Sequence, residues 1–403
     1  MLEIFINKNN INKEIALLEN GHVLEYYIDE EKDFRKEGNI YKGVVNDVVK
    51  GMQAAFIDIG TEKNSFIHLK DILPKIDETK TENSEIENIE INKIIKKNDV
   101  LLVQVKKDSN MQKGARVSTH INLPSKYIAL MPETDIITVS QKIENKEEQE
   151  RLINLVKNNI TKGNGAIIRT SAIGKTEEII EDIKYIEKKW KEIKKTFDKN
   201  TKKIEPKLIY KSEDSVEKMI LDLPDNSINR ILTNDEKEYN ILLKLKKESK
   251  YLINTKIELK KEEILDTYDA RKQIEKLQNR KIWLKCGGFI TIDRTEALTA
   301  IDVNTGKYTG IKDAEQTIYK VNEEATIEIA KQLRLRDIGG IIIIDYIDMK
   351  NKENKEKIQK VLIDNLKNDR AKTQVEGFTK LDLMEMTRKH IMSFGDTSKN
   401  KKG

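Results

Sequence analysis

Cysteine is almost missing from this sequence: Cys286 stands alone among 403 residues. One thiol excludes an intramolecular disulfide framework and any zinc site built only from cysteines. Histidine is scarce too. His22, His68, His120 and His390 are scattered, and none falls at metal-ligand spacing with Cys286. No apolar run approaches the roughly 18 residues that a membrane-spanning helix needs. The N-terminal stretch MLEIFINKNNINKE has no signal-peptide pattern. A cytoplasmic location is therefore expected. An excess of one charge is also lacking, since 74 Lys and Arg face 69 Asp and Glu, a net +5. Most of this charge reads as solvated Lys/Glu helix faces, and so small a total still leaves room for a local basic groove. There is no internal repeat and no low-complexity linker, so only texture divides the chain.

What is present is a polar chain long enough for roughly two to four domains with real cores. Residues 1–36 read as short strands, LEIFIN and then EIALLENGHVLEYYID, with Asn20-Gly21 as a hairpin turn. Residues 39–70 are rich in Val, Ile and Phe and punctuated by Gly43, Gly51 and Gly60, the signature of a small barrel with glycine-marked turns. Residues 75–98 are polar and read as a long surface loop with at most a short helix, and VLLVQVKKD at 100–108 closes the barrel. Further on come a strand YIALMP, a helix ENKEEQERLINLVKNN and a buried strand GAIIRTSA with a polar end. The helical spacing of Ile179, Ile180, Ile183, Ile186 and Trp190 predicts a second helix. Residues 206–277 alternate strand-like and helix-like segments around the turn DLPDNS. Beyond 280 the pattern is strand, helix, strand, helix. Its long helix carries Ile318, Val321, Ala325, Ile329 and Leu333, and Gly339-Gly340 is expected to stop it.

Two aspartates stand out. Asp302 ends the run GGFITIDRTEALTAID, and Asp345 follows Ile341–Ile344 in GGIIIID. An ionised carboxylate at the end of a buried strand is costly unless a cation meets it. Four isoleucines in a row predict a buried central strand. Asn304, two residues after Asp302, would project to the same face if that strand continues. Ligands of open α/β sheets gather outside the carboxyl ends of strands. Two carboxylates and a carboxamide there would suit Mg²⁺ and a phosphate oxygen. Spacing alone weighs this evenly against a plain role in capping helices or turns.

Phe56 and Phe66 lie on or beside barrel strands, with Lys42, Lys106, Lys107 and Lys113 near in sequence. Aromatic platforms amid basic groups bind single-stranded nucleic acid. Taken alone, however, two phenylalanines read as barrel core. Arg169 and Thr170 could hold a monophosphate at the end of GAIIRT, and taken alone read as a surface arginine at a strand end.

Taken together, NIYKGVV, GMQAAFIDIG, NLPSKYIALMP, GAIIRTSA, TEALTAIDVNTG, EIAKQLRLRDIGGIIIIDYIDM, NDRAK and LMEMTRK resemble the ribonuclease E/G family, and more its G branch, over nearly the whole chain. The resemblance implies an α+β multidomain fold. An OB-fold (S1-type) barrel at 37–115 is inserted in an RNase H-like subdomain of 1–36 and 206–277. A 5′-sensor subdomain follows at 116–205, a DNase I-like α/β catalytic domain at 278–398 and a tail at 399–403. It implies an endoribonuclease that depends on Mg²⁺ and cuts single-stranded, A/U-rich RNA in RNA decay and in rRNA and tRNA processing. Carried over, the catalytic residues are Asp302, Asn304 and Asp345, with the metal on Asp302 and Asp345. The RNA-binding residues are Phe56, Phe66 and Lys113, and the 5′-monophosphate pocket is Arg169, Thr170 and Lys372.

The sequence departs from the family pattern in three places. A Cys-Pro-x-Cys motif that links subunits through zinc is not in it, so a zinc link is not expected and a homodimer or higher oligomer is left open. Lys372 replaces a pocket arginine, keeping the charge but not the planar fork. Ser125 replaces a glycine. The alternative is a non-catalytic RNA-binding protein of the same fold.

Overall fold

A computed structural model describes residues 1–10, 12–30, 36–72, 90–109, 113–201, 203–249, 251–306, 314–367 and 369–391. Most of the expected loop at 75–98, and the whole tail at 399–403, lie outside these. The chain divides into two compact units. One comprises Met1–Glu31, Asp225–Lys244 and Leu252–Gly403, the other Lys32–Pro224 and Leu245–Tyr251. Among the described residues no helix is long and apolar enough to cross a membrane.

The second unit contains a closed barrel. Its strands run in the order Ile40–Val49, Ala54–Asp58, Ser65–His68, Arg116–Ser118 and Val100–Lys107, and the last pairs back with the first. Closure leaves little room inside. A Cβ on Gly43 would stand 2.5 Å from Ile57 Cγ2, so glycine is needed within this strand and does not mark a turn as the sequence reading had it. The last barrel strand lies just past the expected boundary at 115, and Lys207–Tyr210 adds to the first strand from outside. Beside the barrel, a four-stranded sheet is built from Ile137–Val139, Asn164–Ile168, Ile128–Pro132 and Leu123–Pro124. The amphipathic helices Lys146–Asn159 and Glu177–Asn200 share its core. Ile179, Ile183 and Ile186 are buried against Ile128, Leu130 and Ile168.

The first unit contains two sheets. Leu2–Lys8, Asn12–Glu19 and His22–Glu30 form an antiparallel meander, turned at Asn20 (φ 51°) and Gly21 (φ 79°). Ile228–Thr233 and then Lys256–Leu259 extend it in parallel.

The second sheet has six strands in the order Lys281–Trp283, Phe289–Arg294, Leu298–Asn304, Gly340–Asp345, Leu383–Arg388, Thr373–Phe378. The alternation expected beyond 280 is therefore too simple. Three strands precede the first helix and two follow the second, and only Leu298–Asn304 and Gly340–Asp345 run parallel. Ala314–Leu335 makes the crossover between these two. It shares one core with Lys352–Leu366 and one face of the sheet, where Ile290, Ile301, Ile342, Ile344 and Met384 meet Val321, Ala325, Ile329, Ile358 and Leu362.

On the opposite sheet face the described side chains are exposed or half-buried. The isoleucine run is thus not buried throughout: Ile342 and Ile344 face the helices, while Ile341 is 51% exposed. The crossover helix also ends earlier than expected. Asp337 adopts φ 43°, and Ile338 N–H donates back to Leu333 O at 2.9 Å, closing the last turn ahead of Gly339-Gly340.

Candidate active site

The parallel pair of strands fixes the two aspartates. Residues Leu298 to Asp302 stand in register with Ile341 to Asp345, so Asp302 and Asp345 are direct neighbours at the carboxyl ends of adjacent strands. Strand spacing places their backbones about 5 Å apart. The side chains of both project from the open face and are exposed. Asn304 follows on the same face and donates from Nδ2 to Asp302 Oδ2 at 2.5 Å. Beneath it the chain is tightly packed, since a Cβ on Gly288 would stand 2.9 Å from Asn304 O. Partial burial, with the charges of Asp302 and then Asp348, pushes the Asp345 carboxyl above its ordinary range.

Asp302, Asn304 and Asp345 are therefore brought together, and all offer hard oxygen donors toward which a divalent cation would relieve the like-charge repulsion. Among the described residues no group of three His, Cys, Asp or Glu side chains forms a metal site. The donor set is two carboxylates and a carboxamide, which suits a cation that keeps several waters. Asp348 was missed in the sequence reading. Its signal was available, three residues beyond Asp345 in DYIDM.

Phe56 and Phe66 do not belong to the barrel core. They are register partners on adjacent strands, with ring centroids 6.3 Å apart in an edge-on arrangement, and Phe56 is 36% exposed. The core is made instead by Tyr41, Val45, Ile57, Ile67 and Val103. Lys113 is exposed near this face's Arg116 strand. Lys42, expected among the basic surroundings, is buried. Its ammonium donates to Asn200 O and Lys203 O, capping the end of the long helix.

Arg169 is held from two sides. Nη1 donates to Ser125 O at 2.8 Å and Nη2 pairs with Asp222. Thr170 is exposed at the start of the short turn Thr170–Ala172. Ser125 is itself anchored, its hydroxyl donating to the buried Asp182 at 2.5 Å, while Asp182 also accepts from Tyr127 N–H and Tyr251. Neither Asp222 nor Asp182 was signalled by sequence: Asp182 lies within a helix that looked like an ordinary amphipathic segment, and Asp222, which ends the helix Ser215–Asp222, read as the first residue of the turn DLPDNS. Lys372 belongs to the other unit. There it is exposed at the opposite end of the sheet from Asp345, beside the start of the Gly340–Asp345 strand.

Fold and site define a mixed α+β protein with a closed barrel that bears surface aromatics and a sheet edge that bears paired carboxylates. A model described as the ribonuclease E/G family matches residues 122–391. Ribonuclease G of Escherichia coli K12 is 37% identical over 96% of this chain and 79% of its own length. Ribonuclease G of Haemophilus influenzae is 36% identical over the same shares. Ribonuclease E of a Nostoc species is 33% identical over 89% of this chain and 53% of its own length. The chain belongs to the ribonuclease E/G family.

Proposed function

We propose that the protein is an endoribonuclease of the E/G type, acting on single-stranded, A/U-rich RNA in RNA decay and in rRNA and tRNA processing. The observation that carries this reading is the register pairing of Asp302 with Asp345, with Asn304 bonded to Asp302, in a chain of this family. Mg²⁺ held by Asp302 and Asp345 would offset phosphate charge and lower the pKa of a bound water. Asn304 fixes the Asp302 carboxylate through its amide and presents a polar group beside it on the open face. In this reading the six-stranded sheet and its helices are the DNase I-like catalytic domain, and the barrel is the S1-type OB fold. The meander sheet is the RNase H-like subdomain.

The edge-on pair Phe56 and Phe66 would stack bases, with Lys113 as a phosphate contact. Arg169 and Thr170 would take a 5′-monophosphate. The guanidinium is already oriented by Ser125 O and Asp222, so little ordering remains on binding. A cytoplasmic setting completes the reading.

Asp302→Asn and Asp345→Asn should each abolish Mg²⁺-dependent cleavage of a single-stranded RNA while its binding, read by anisotropy, survives. Retained Mg²⁺-dependent cleavage by both variants would refute the assignment.

A further inference from the structure

The open face of the six-stranded sheet carries more than the carboxylates. Register places its side chains in two rungs. Lys281, Thr291, Asp302 and Asp345 form one, and Trp283, Phe289 and Asn304 form the next. The edge strand Lys281–Trp283 therefore sets an aromatic pair in line with Asn304, about 10 Å across the sheet at roughly 4.8 Å per strand.

Trp283 is 61% exposed, on a face that the helices do not cover. Its ring meets Phe289 edge-on, with centroids 5.3 Å apart. The Lys281 ammonium lies 4.1 Å from the Trp283 ring centre and 3.5 Å from that of Phe289. A large indole left in water gains the fold little, because it gives up the burial for which tryptophan is normally retained. Here it is held by a second ring and a cation, beside two exposed carboxylates. Rings offer a flat π-face to a base, and a neighbouring ammonium offers a contact to its phosphate.

We propose that Trp283 and Phe289, with Lys281, form a nucleobase-stacking subsite for the RNA strand next to the phosphate held at Asp302 and Asp345. This rests on the nuclease reading. The occupant is single-stranded RNA because the patch continues the carboxylate rungs and because its cation complements a phosphodiester. Trp283 acts as a positioning residue, anchoring a base a nucleotide or so from the phosphate and limiting how the strand slides across the sheet.

The test uses the full chain. Tryptophan emission is titrated with single-stranded oligouridine in EDTA, with binding followed independently by anisotropy. The only other tryptophan, Trp190, is buried. Emission should change on saturation, and the change should vanish in Trp283→Ala. With Mg²⁺, Trp283→Ala should raise KM about 5- to 150-fold, the equivalent of losing one base stack, with the loss mainly in KM rather than kcat. Trp283→Phe should recover most of it.

Unchanged emission while RNA is bound, or a wild-type KM in Trp283→Ala, overturns the subsite. So does a shift in sedimentation mass in Trp283→Ala with RNA affinity unaltered, which would make the face a protein interface. If the wild type does not cut RNA but the emission change persists, the stacking stands and the nuclease reading falls. If neither is seen, both fall.

Discussion

At the scale of single residues, function depends on what holds each side chain. Arg169 would be an ordinary strand-end arginine if it were free to swing. Fixed between Ser125 O and the Asp222 carboxylate, it presents its remaining N–H groups in a set direction. Hydrogen bonds to a charged group are worth about 1.5–3 kcal/mol, or roughly 10- to 150-fold in rate or affinity. Arg169→Gln should therefore cut the preference for 5′-monophosphate over 5′-hydroxyl RNA by a factor in that range. The check is the ratio of cleavage rates on the two RNAs, and an unchanged ratio would remove Arg169 from the sensing role. Phe56 and Lys42 carry the same lesson in opposite directions. Both were placed in the barrel by pattern, but pattern does not say which way a strand faces or what covers it. The phenylalanine points outward with Phe66, and the lysine, also on the outer side of the barrel wall, is buried against Asn200 O and Lys203 O at the end of the long helix.

At the scale of elements, the site exists because a helix joins two parallel strands in register. The helix end is fixed by a buried ionic cluster. Arg388, fully buried on Leu383–Arg388, donates to both Asp369 oxygens at 2.7 and 3.1 Å. It also donates to Asp337 at 2.8 Å and to Ile338 O at 2.9 Å. It thus ties the next strand to the turn between the crossover helix and Gly340–Asp345. Arg388→Met would leave Asp337 and Asp369 buried without their cation, at a cost of about 3–5 kcal/mol. A fall of that size in urea-unfolding stability is expected. A loss below about 1 kcal/mol would show that the cluster contributes little. The sequence reading credited Gly339-Gly340 with ending this helix. It missed Asp337 because an aspartate in the left-handed conformation needs partners remote in sequence.

At the scale of the molecule, the first unit is held by a charge buried between its two sheets' elements. Glu25, on the meander strand, is fully buried and paired with Arg370 at 2.5 Å and Arg334 at 2.7 Å. Burial pushes its carboxyl up, but Arg370 and Arg334 outweigh burial and hold it at about 2, below its ordinary 4.5. A depressed carboxyl stabilises the fold above its unfolded pKa, and that contribution fades as pH falls through the folded value. The window is therefore from about 4.5 down to about 2, and the contribution is about 3 kcal/mol. Glu25→Gln should be less stable than wild type at neutral pH, with the gap closing as pH falls through that window. Urea midpoints measured across it check the sign, and a gap independent of pH would refute it.

Much of this protein could be read from its residues. The period-two runs, the Asn20-Gly21 turn and the helical spacing of Ile179 to Trp190 are local signals, and local chemistry answers to them. Asp302 and Asp345 were legible as costly carboxylates at strand ends, and the helix between them predicted a crossover. The long matching motifs identified the family. Sequence alone could not say which face of a strand looks outward, because alternation is unchanged when the strand is turned over. Nor could it show that Trp283 and Phe289 share the open face with Asp302, since only register across three strands makes neighbours of residues so far apart in sequence. Composition and periodicity determined the elements. Pairing and burial, which depend on contacts remote along the chain, decided which side chains meet at the site.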